Sequence, residues 1–436
     1  MRNQLAAYGA LFTFIVIMGL LALSGSILLA ATPLLLYLVA ANLSVEPARI
    51  TVTRQLSASR VGPGTPVEVS LTITNEGSSV REAVVTDLVP PGLTIVAGRP
   101  SAAITLRGGT QFSFSYSITG DRGSFEFDLS TVDVAGDFPI RKRRYEFHTP
   151  MELVTLPNHR ALSKIPIAPR RTLVYAGSLP ARQGGEGTEF FDVRLHGGRG
   201  EPRHVNWKLS ARRPGEIYVN EFQEERVADI GIILDARLRA YPPTRGHSLF
   251  EFAANAAASL ADVLLDQGNR VGYLAYGLSL DWTAPGFGKV QKQRILTRIA
   301  RVSPGESFVF YKLDEIPDRL LPSGSQLVIV SPLTPDDAKP IIRLASLRYV
   351  VLVVSPDPVS YELADETGAA HGGSQTRESA SAATARRVAR AERKVLIHQL
   401  KHAGIPVVDW DTAFPFEAAV AGALGQIHSA WRRRSR

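Results

Sequence analysis

Two short stretches of this chain hold the residue types that could do chemistry. The first runs from Arg194 through Arg203, Trp207, Ser210 and Arg212 to Glu221. Arginine offers a planar fork of donors to a carboxylate or phosphate, and tryptophan a large apolar plate with one donor. Such a set fits an anionic recognition surface for a partner. The favoured reading is structural: a connector in which Arg satisfies carbonyls and Trp seals a core. The second stretch is Asp235, which ends the apolar run that starts at Asp229, with Arg237 and Arg239 just behind it. Open α/β sheets bind ligands beyond the carboxyl ends of their strands, so Asp235 stands where a site would be. A divalent cation there would need hard, uncharged or anionic oxygens around it. Two fixed positive charges at about 5 Å, in an effective dielectric of about 20, would oppose it by roughly 3 kcal/mol each. No metal is therefore expected. An internal ion pair of Asp235 with Arg237 or Arg239 is the alternative filling of the same place.

Other chemistries leave no trace. The 436 residues include no cysteine, which excludes disulfides, cysteine-ligated zinc, iron–sulfur clusters and thiol catalysis. No Gly-x-Gly-x-x-Gly follows a strand, and there is no Walker A loop, Gly-x-Ser-x-Gly elbow or His-Glu-x-x-His. No catalytic residue and no cofactor is thus expected. His398 and His402 lie four apart on a helix, where a metal face is conceivable, but Lys394 and Lys401 beside them favour a solvated surface. The basic helix from Arg386 to Lys401, with Arg387, Arg390 and Arg393, reads the same way, and no nucleic acid is expected. The net charge of +8 fits an anionic lipid surface, an acidic protein or nucleic acid, and by itself chooses among none of them.

The elements that must position these residues follow from pattern. From Leu5 to Leu43 there is no charged residue, with a break at Ser24-Gly25-Ser26. Two spans of about 20 apolar residues each fit that length, so residues 1–44 are expected to form a transmembrane hairpin. Arg2 before it and Arg49, Arg54 and Arg60 after it place both ends, and the soluble part, in the cytoplasm. The expected localisation is a multi-pass protein of the cell membrane. Residues 45–150 show short alternating strands such as Val67–Thr74 and Phe112–Ile118, separated by turn signals, which indicates an Ig-like β-sandwich. Residues 151–225 are a Gly- and Arg-rich connector. Residues 226–436 alternate apolar strands with helices, which indicates a doubly wound α/β domain with a mainly parallel sheet.

The connector carries a resemblance. Glu189-Phe190, Arg194, Arg203, Trp207 and Ser210-Ala211-Arg212 match in register a signature of the bacterial and archaeal family known as domain of unknown function 58. Leu195-His196 and Arg199-Gly200 depart from it, where Glu-Tyr and Gly-Asp are usual. The resemblance implies a von Willebrand factor A-like α/β domain after the block. Such domains hold a cation with Asp-x-Ser-x-Ser after the first strand; here both serine positions are arginine, Arg237 and Arg239, and the later loop reads Ser331-Pro332-Leu333 without its Asp. The resemblance further implies a membrane-anchored, non-enzymatic scaffold that works with a MoxR-type AAA+ ATPase in assembling a protein complex. An enzyme with a nucleotide or sugar site in a doubly wound sheet, and an outward-facing adhesion protein, stand as alternatives. Client, pathway and oligomeric state are not legible.

Overall fold

The alternation of Val67–Asn75 is realised as a strand with its even-spaced side chains buried, at the centre of a two-sheet sandwich. The computed structural model describes residues 2–43, 49–135, 142–167, 169, 172–196, 204–213, 215–241, 248–307, 312–317, 319–363 and 380–434. They divide into two units, Met1–Thr155 and Leu156–Arg436.

The first unit starts with helices α1 (Arg2–Leu21) and α2 (Gly25–Leu43). Nine strands follow: β1 (Ile50–Leu56), β2 (Arg60–Val61), β3 (Val67–Asn75), β4 (Val80–Asp87), β5 (Leu93–Ala97), β6 (Ser101–Leu106), β7 (Thr110–Gly120), β8 (Gly123–Ala135) and β9 (Lys142–Thr155). They form the sheets β1-β3-β7-β5 and β2-β9-β8-β4-β6. Between them lies an apolar core that includes Val69, Leu71, Ile73, Ile118 and Phe127. Inside that core sits an ion pair. The Arg54 guanidinium bonds Asp87 Oδ1 at 2.5 Å, Ser130 Oγ at 2.8 Å and the Thr149 carbonyl at 2.6 Å. The Tyr116 hydroxyl donates to Asp87 Oδ2 at 2.6 Å.

The second unit opens with β10 (Thr172–Leu195), then a one-turn helix α3 (Trp207–Ser210) and β11 (Tyr218–Asp235). After these come α4 (Leu249–Asp266), β12 (Arg270–Tyr276), β13 (Leu280–Gly286), α5 (Gly288–Arg301), β14 (Gln326–Val330), α6 (Ala338–Ser346), β15 (Val350–Pro356), α7 (Ala380–His402), β16 (Val407–Trp410) and α8 (Phe416–Arg434). The sheet order is β13-β12-β11-β14-β15-β16, with β10 paired to β11 off that path. Apolar clusters cover both sheet faces, one around Ile230, Ile232 and α4, the other around Ile233, Ile329 and α6. Gly231 in β11 leaves the room that Leu321 fills.

The expected fold class needs correction on three counts. Among the described residues no helix is long and apolar enough to cross a membrane, so the transmembrane hairpin is not supported. Among the described residues strands outnumber helices, and antiparallel pairings predominate. Finally, the doubly wound, von Willebrand A-like head does not describe the second unit. Its sheet is mixed: β13 runs antiparallel on one edge, and the first half of β11 is spent in a long antiparallel ribbon with β10. The physical reason is that the presumed connector extends as strand. Leu173 to Leu195 pairs back on β11 through four register shifts, which reconcile its Gly-rich, irregular sequence with a ladder.

Candidate functional site

At the carboxyl end of β11, Asp235 is fully buried, and the place where a ligand would sit is filled by Arg237. The chain turns immediately after the strand, and the Arg237 side chain folds back over it. Its Nε donates to Asp235 Oδ1 at 2.8 Å and one terminal nitrogen to Oδ2 at 2.7 Å. The same guanidinium forks a second time, to both oxygens of Asp337 at 2.9 Å. Ser331, just after β14, donates to Asp235 Oδ2 at 2.6 Å, and the Arg237 amide to Oδ1 at 3.0 Å. Asp337 Oδ2 also accepts from the amide and hydroxyl of Thr334, at 2.7 and 2.8 Å. Asp235, Arg237, Ser331 and Asp337 are all buried. Burial by itself penalises the arginine's charge, but its bonds to Asp235 and Asp337 outweigh that and hold its pKa above the ordinary value. An arginine that cannot lose its proton, with five donors largely matched to carboxylate oxygens, occupies the place that a cation would need.

A second arginine closes the neighbouring strands. Arg393 of α7 lies with its side chain 9% exposed. It donates to the Pro332 carbonyl at 2.9 Å, to Ser355 Oγ and carbonyl at 3.1 and 3.0 Å, and to Asp409 Oδ1 at 2.5 Å. Its Nε lies 3.4 Å from Asp357. Arg393 thus ties together the ends of β14, β15 and β16, whereas Arg387, Arg390 and Lys394 on the same helix are exposed. The expectation of a wholly solvated basic helix is corrected at this one residue. His398 and His402 are exposed with rings 5.1 Å apart, and no group of three metal-ligating side chains occurs among the described residues.

The Arg194–Glu221 block is divided by the structure into locks and a plate. Asn206 caps α3, its Oδ1 accepting from the Leu209 amide at 3.0 Å, while its amide donates to Asn220 at 2.8 Å. Ser210 Oγ accepts from the Tyr218 amide at 2.9 Å. These bonds fasten α3 to the start of β11. Trp207, by contrast, is 72% exposed, and Leu195 and Ile217 beside it are 53% and 48% exposed. Leu195 pairs with Tyr218, the residue after Ile217, and His196 donates to the Ile217 carbonyl. Arg194, Lys208 and Arg212 are exposed in the same ribbon tip. Glu221 lies on β11 opposite Asp192. Arg203 lies outside the described residues. Arg239 is exposed on the turn after Arg237.

Residues 195–399 match the protein family described as Protein of unknown function DUF58. The match supports the family read from the Trp207 block, and it takes in Trp207 as well as Arg237 and Arg393. No curated protein matches the chain. Among solved structures, the CARDB domain of a Pyrococcus furiosus protein, in complex with di-metal ions, is similar at 13% identity over 26% of this chain and 96% of that one, with a TM-score of 0.20. A complex of zinc α2-glycoprotein with prolactin-inducible protein from human seminal plasma is similar at 16% identity over 25% of this chain and 96% of that one, TM-score 0.20. A FixG-related protein from Vibrio parahaemolyticus is similar at 11% identity over 26% of this chain and 98% of that one, TM-score 0.17.

Sequence reasoning missed Asp337 and Arg393. Thr334 and Asp337 form a capping box, a pattern that signals a helix start but not a carboxylate turned toward another strand. Arg393 carried no signal, since it sits among arginines that do face water.

Proposed function

We propose that this protein is a non-enzymatic interaction module, and that the ribbon tip around Trp207 docks on an acidic protein surface. The observation that carries the reading is the 72% exposure of Trp207 on a helix whose own fastening uses Asn206 and Ser210 instead. A folding role for the tryptophan would bury it. A partner role exposes a rigid aromatic plate beside apolar Leu195 and Ile217, with Arg194, Lys208 and Arg212 to steer an anionic partner. The sealed carboxyl edge speaks against the rival reading of a nucleotide- or sugar-binding enzyme, since Arg237 and Arg393 occupy the crevice such a ligand would use. The family resemblance adds a candidate for the partner, a MoxR-type AAA+ ATPase.

The test is a pull-down of a purified MoxR-type ATPase with three variants. Trp207→Ala and the charge reversal Arg194→Glu with Arg212→Glu should each weaken capture at least tenfold, with the melting temperature unchanged. Leu278→Ala, at a site exposed elsewhere on the unit, should bind as the parent does. Undiminished capture by Trp207→Ala would overturn the tip as the docking surface.

A further inference from the structure

Beside the last strand of the second unit lies a cavity of about 280 Å³ that neither the ribbon tip nor the arginine seals use. Its wall is aromatic. Trp410 packs against Phe416 at 4.8 Å and Phe252 at 5.9 Å between ring centroids, and its indole nitrogen is already spent on the Phe414 carbonyl at 2.9 Å. The rings are therefore fixed in place rather than free to collapse into the space. The uncharged polar side chains that line it are Asn158, Asn255, Ser259 and Thr412, and the Ser259 hydroxyl is already spent on the Asn255 carbonyl. Arg160 and Glu417 also line it, 3.7 Å apart, so the charged part of the rim is neutral as a pair. Phe414 lines it as well and is 63% exposed.

Thr412 supplies the feature that a merely imperfect core would not. Its hydroxyl is buried and makes no hydrogen bond among the described residues. Buried hydroxyls are almost always paired, and an orphan in the wall of a cavity points to a partner that arrives from outside. Pockets of this composition, apolar plates with a few convergent polar groups, take small uncharged ligands by stacking and one or two directed bonds. The volume suits a single ring.

We infer that this cavity is a binding site for one neutral aromatic ring carrying a hydroxyl group, which stacks in the pocket formed by Phe252, Trp410 and Phe416 and pairs its hydroxyl with Thr412. The reading is independent of the ribbon tip. A ring of this kind comes either as a free phenol or as a tyrosine side chain of a peptide, and in the second case Asn158 and Asn255 stand ready for main-chain amides.

Saturation-transfer NMR on the full chain tests it, with p-cresol, toluene and N-acetyl-tyrosinamide as probes. p-Cresol should bind the parent protein several-fold more tightly than toluene. Thr412→Val, which keeps the shape and removes the hydroxyl, should erase that difference while toluene binding persists. Ala413→Trp, at an exposed rim position, should abolish binding of all three with the circular dichroism spectrum unchanged. Tighter binding of N-acetyl-tyrosinamide than of p-cresol assigns the site to peptides; the reverse order assigns it to free phenols. Absence of p-cresol binding to the parent, or binding that survives Ala413→Trp, would overturn the site.

Discussion

Each unit buries an arginine against aspartate, and the two clusters are built to different ends. In the sandwich, Arg54 and Asp87 meet one to one with side chains fully buried, and both partners spend their remaining bonds on Ser130, Tyr116 and the Thr149 carbonyl. That pair joins β1 to β4, strands of opposite sheets. In the second unit one guanidinium serves two carboxyl groups, Asp235 and Asp337, at the end of a strand rather than between sheets. The first cluster is charge-balanced and acts as a rivet. The second has one carboxyl more than it has cations, an acidic socket into which the chain has placed its own counter-ion. Location decides the meaning: between two facing sheets, an ion pair specifies how layers stack, whereas at the carboxyl end of a strand with parallel neighbours it occupies the place of a ligand.

The comparison breaks most readily at Arg237. Arg237→Met should cost about 5 kcal/mol, because it leaves two buried carboxyl groups without a cation, whereas Arg54→Met should cost about 3 kcal/mol, because it leaves one. Chemical denaturation of both variants measures this. Equal losses would mean that the two clusters are equivalent rivets. A smaller effect sharpens the socket. Removing the guanidinium with Arg237→Ala leaves Asp235, Asp337 and Ser331 oxygens converging on vacated space, so millimolar Mg²⁺ should restore part of the lost stability, up to about 2.7 kcal/mol at a hundredfold excess over its dissociation constant. The parent protein should show no shift with the same ion.

Alkaline titration gives a further, smaller contrast. Burial, then the bond to Asp87, raises the pKa of Tyr116 above the ordinary value near 10; burial, then the nearby Glu315 and Asp314, raises that of Tyr276. Each tyrosine ionises more readily in the unfolded chain than in the folded one. The unfolded state then binds fewer protons, so their contribution to stability is complete below pH 10 and is lost as pH rises beyond it. Tyr116→Phe should flatten that loss in the sandwich, read as a shallower fall of its melting temperature between pH 9 and about 11; an unchanged slope would remove Tyr116 from the account. The smallest effect belongs to Trp207→Ala, expected within about 0.5 kcal/mol of the parent by the same denaturation assay, as for other exposed side chains. A loss near 3 kcal/mol would return Trp207 to the core.

How much of this was legible in the sequence differs by element. Sandwich strands such as β1 and β3 declared themselves, because one face is buried and the other is not, and period-two alternation records that directly. The parallel strands β14 and β15 read just as plainly as unbroken apolar runs. The ribbon did not, because β10 pairs on one edge only and its Gly-Gly and Pro positions look like a connector until bulges absorb them. At the candidate site, the pairing of Asp235 with Arg237 was readable from spacing, since two residues on from a strand end is within reach of the same carboxylate. Asp337 was not, because it stands 100 positions away and only the adjacency of β11 and β14 brings it near. Trp207 shows the limit most simply. Composition says that a tryptophan should be covered and is silent on whether the cover comes from the same chain.

The length of β11 ties these places together in one further respect. Tyr218 anchors α3 at one end, and Asp235 lies in the socket at the other, with no loop between them. At about 3.3 Å per residue the two are roughly 55 Å apart along a single strand. An extended strand has almost no slack, so it behaves under load as a tie rod rather than a spring. A machine that gripped the ribbon tip and pulled would load the β10 ladder first, and then the pairings of β11 with β12 and β14 that end at the Asp235 socket.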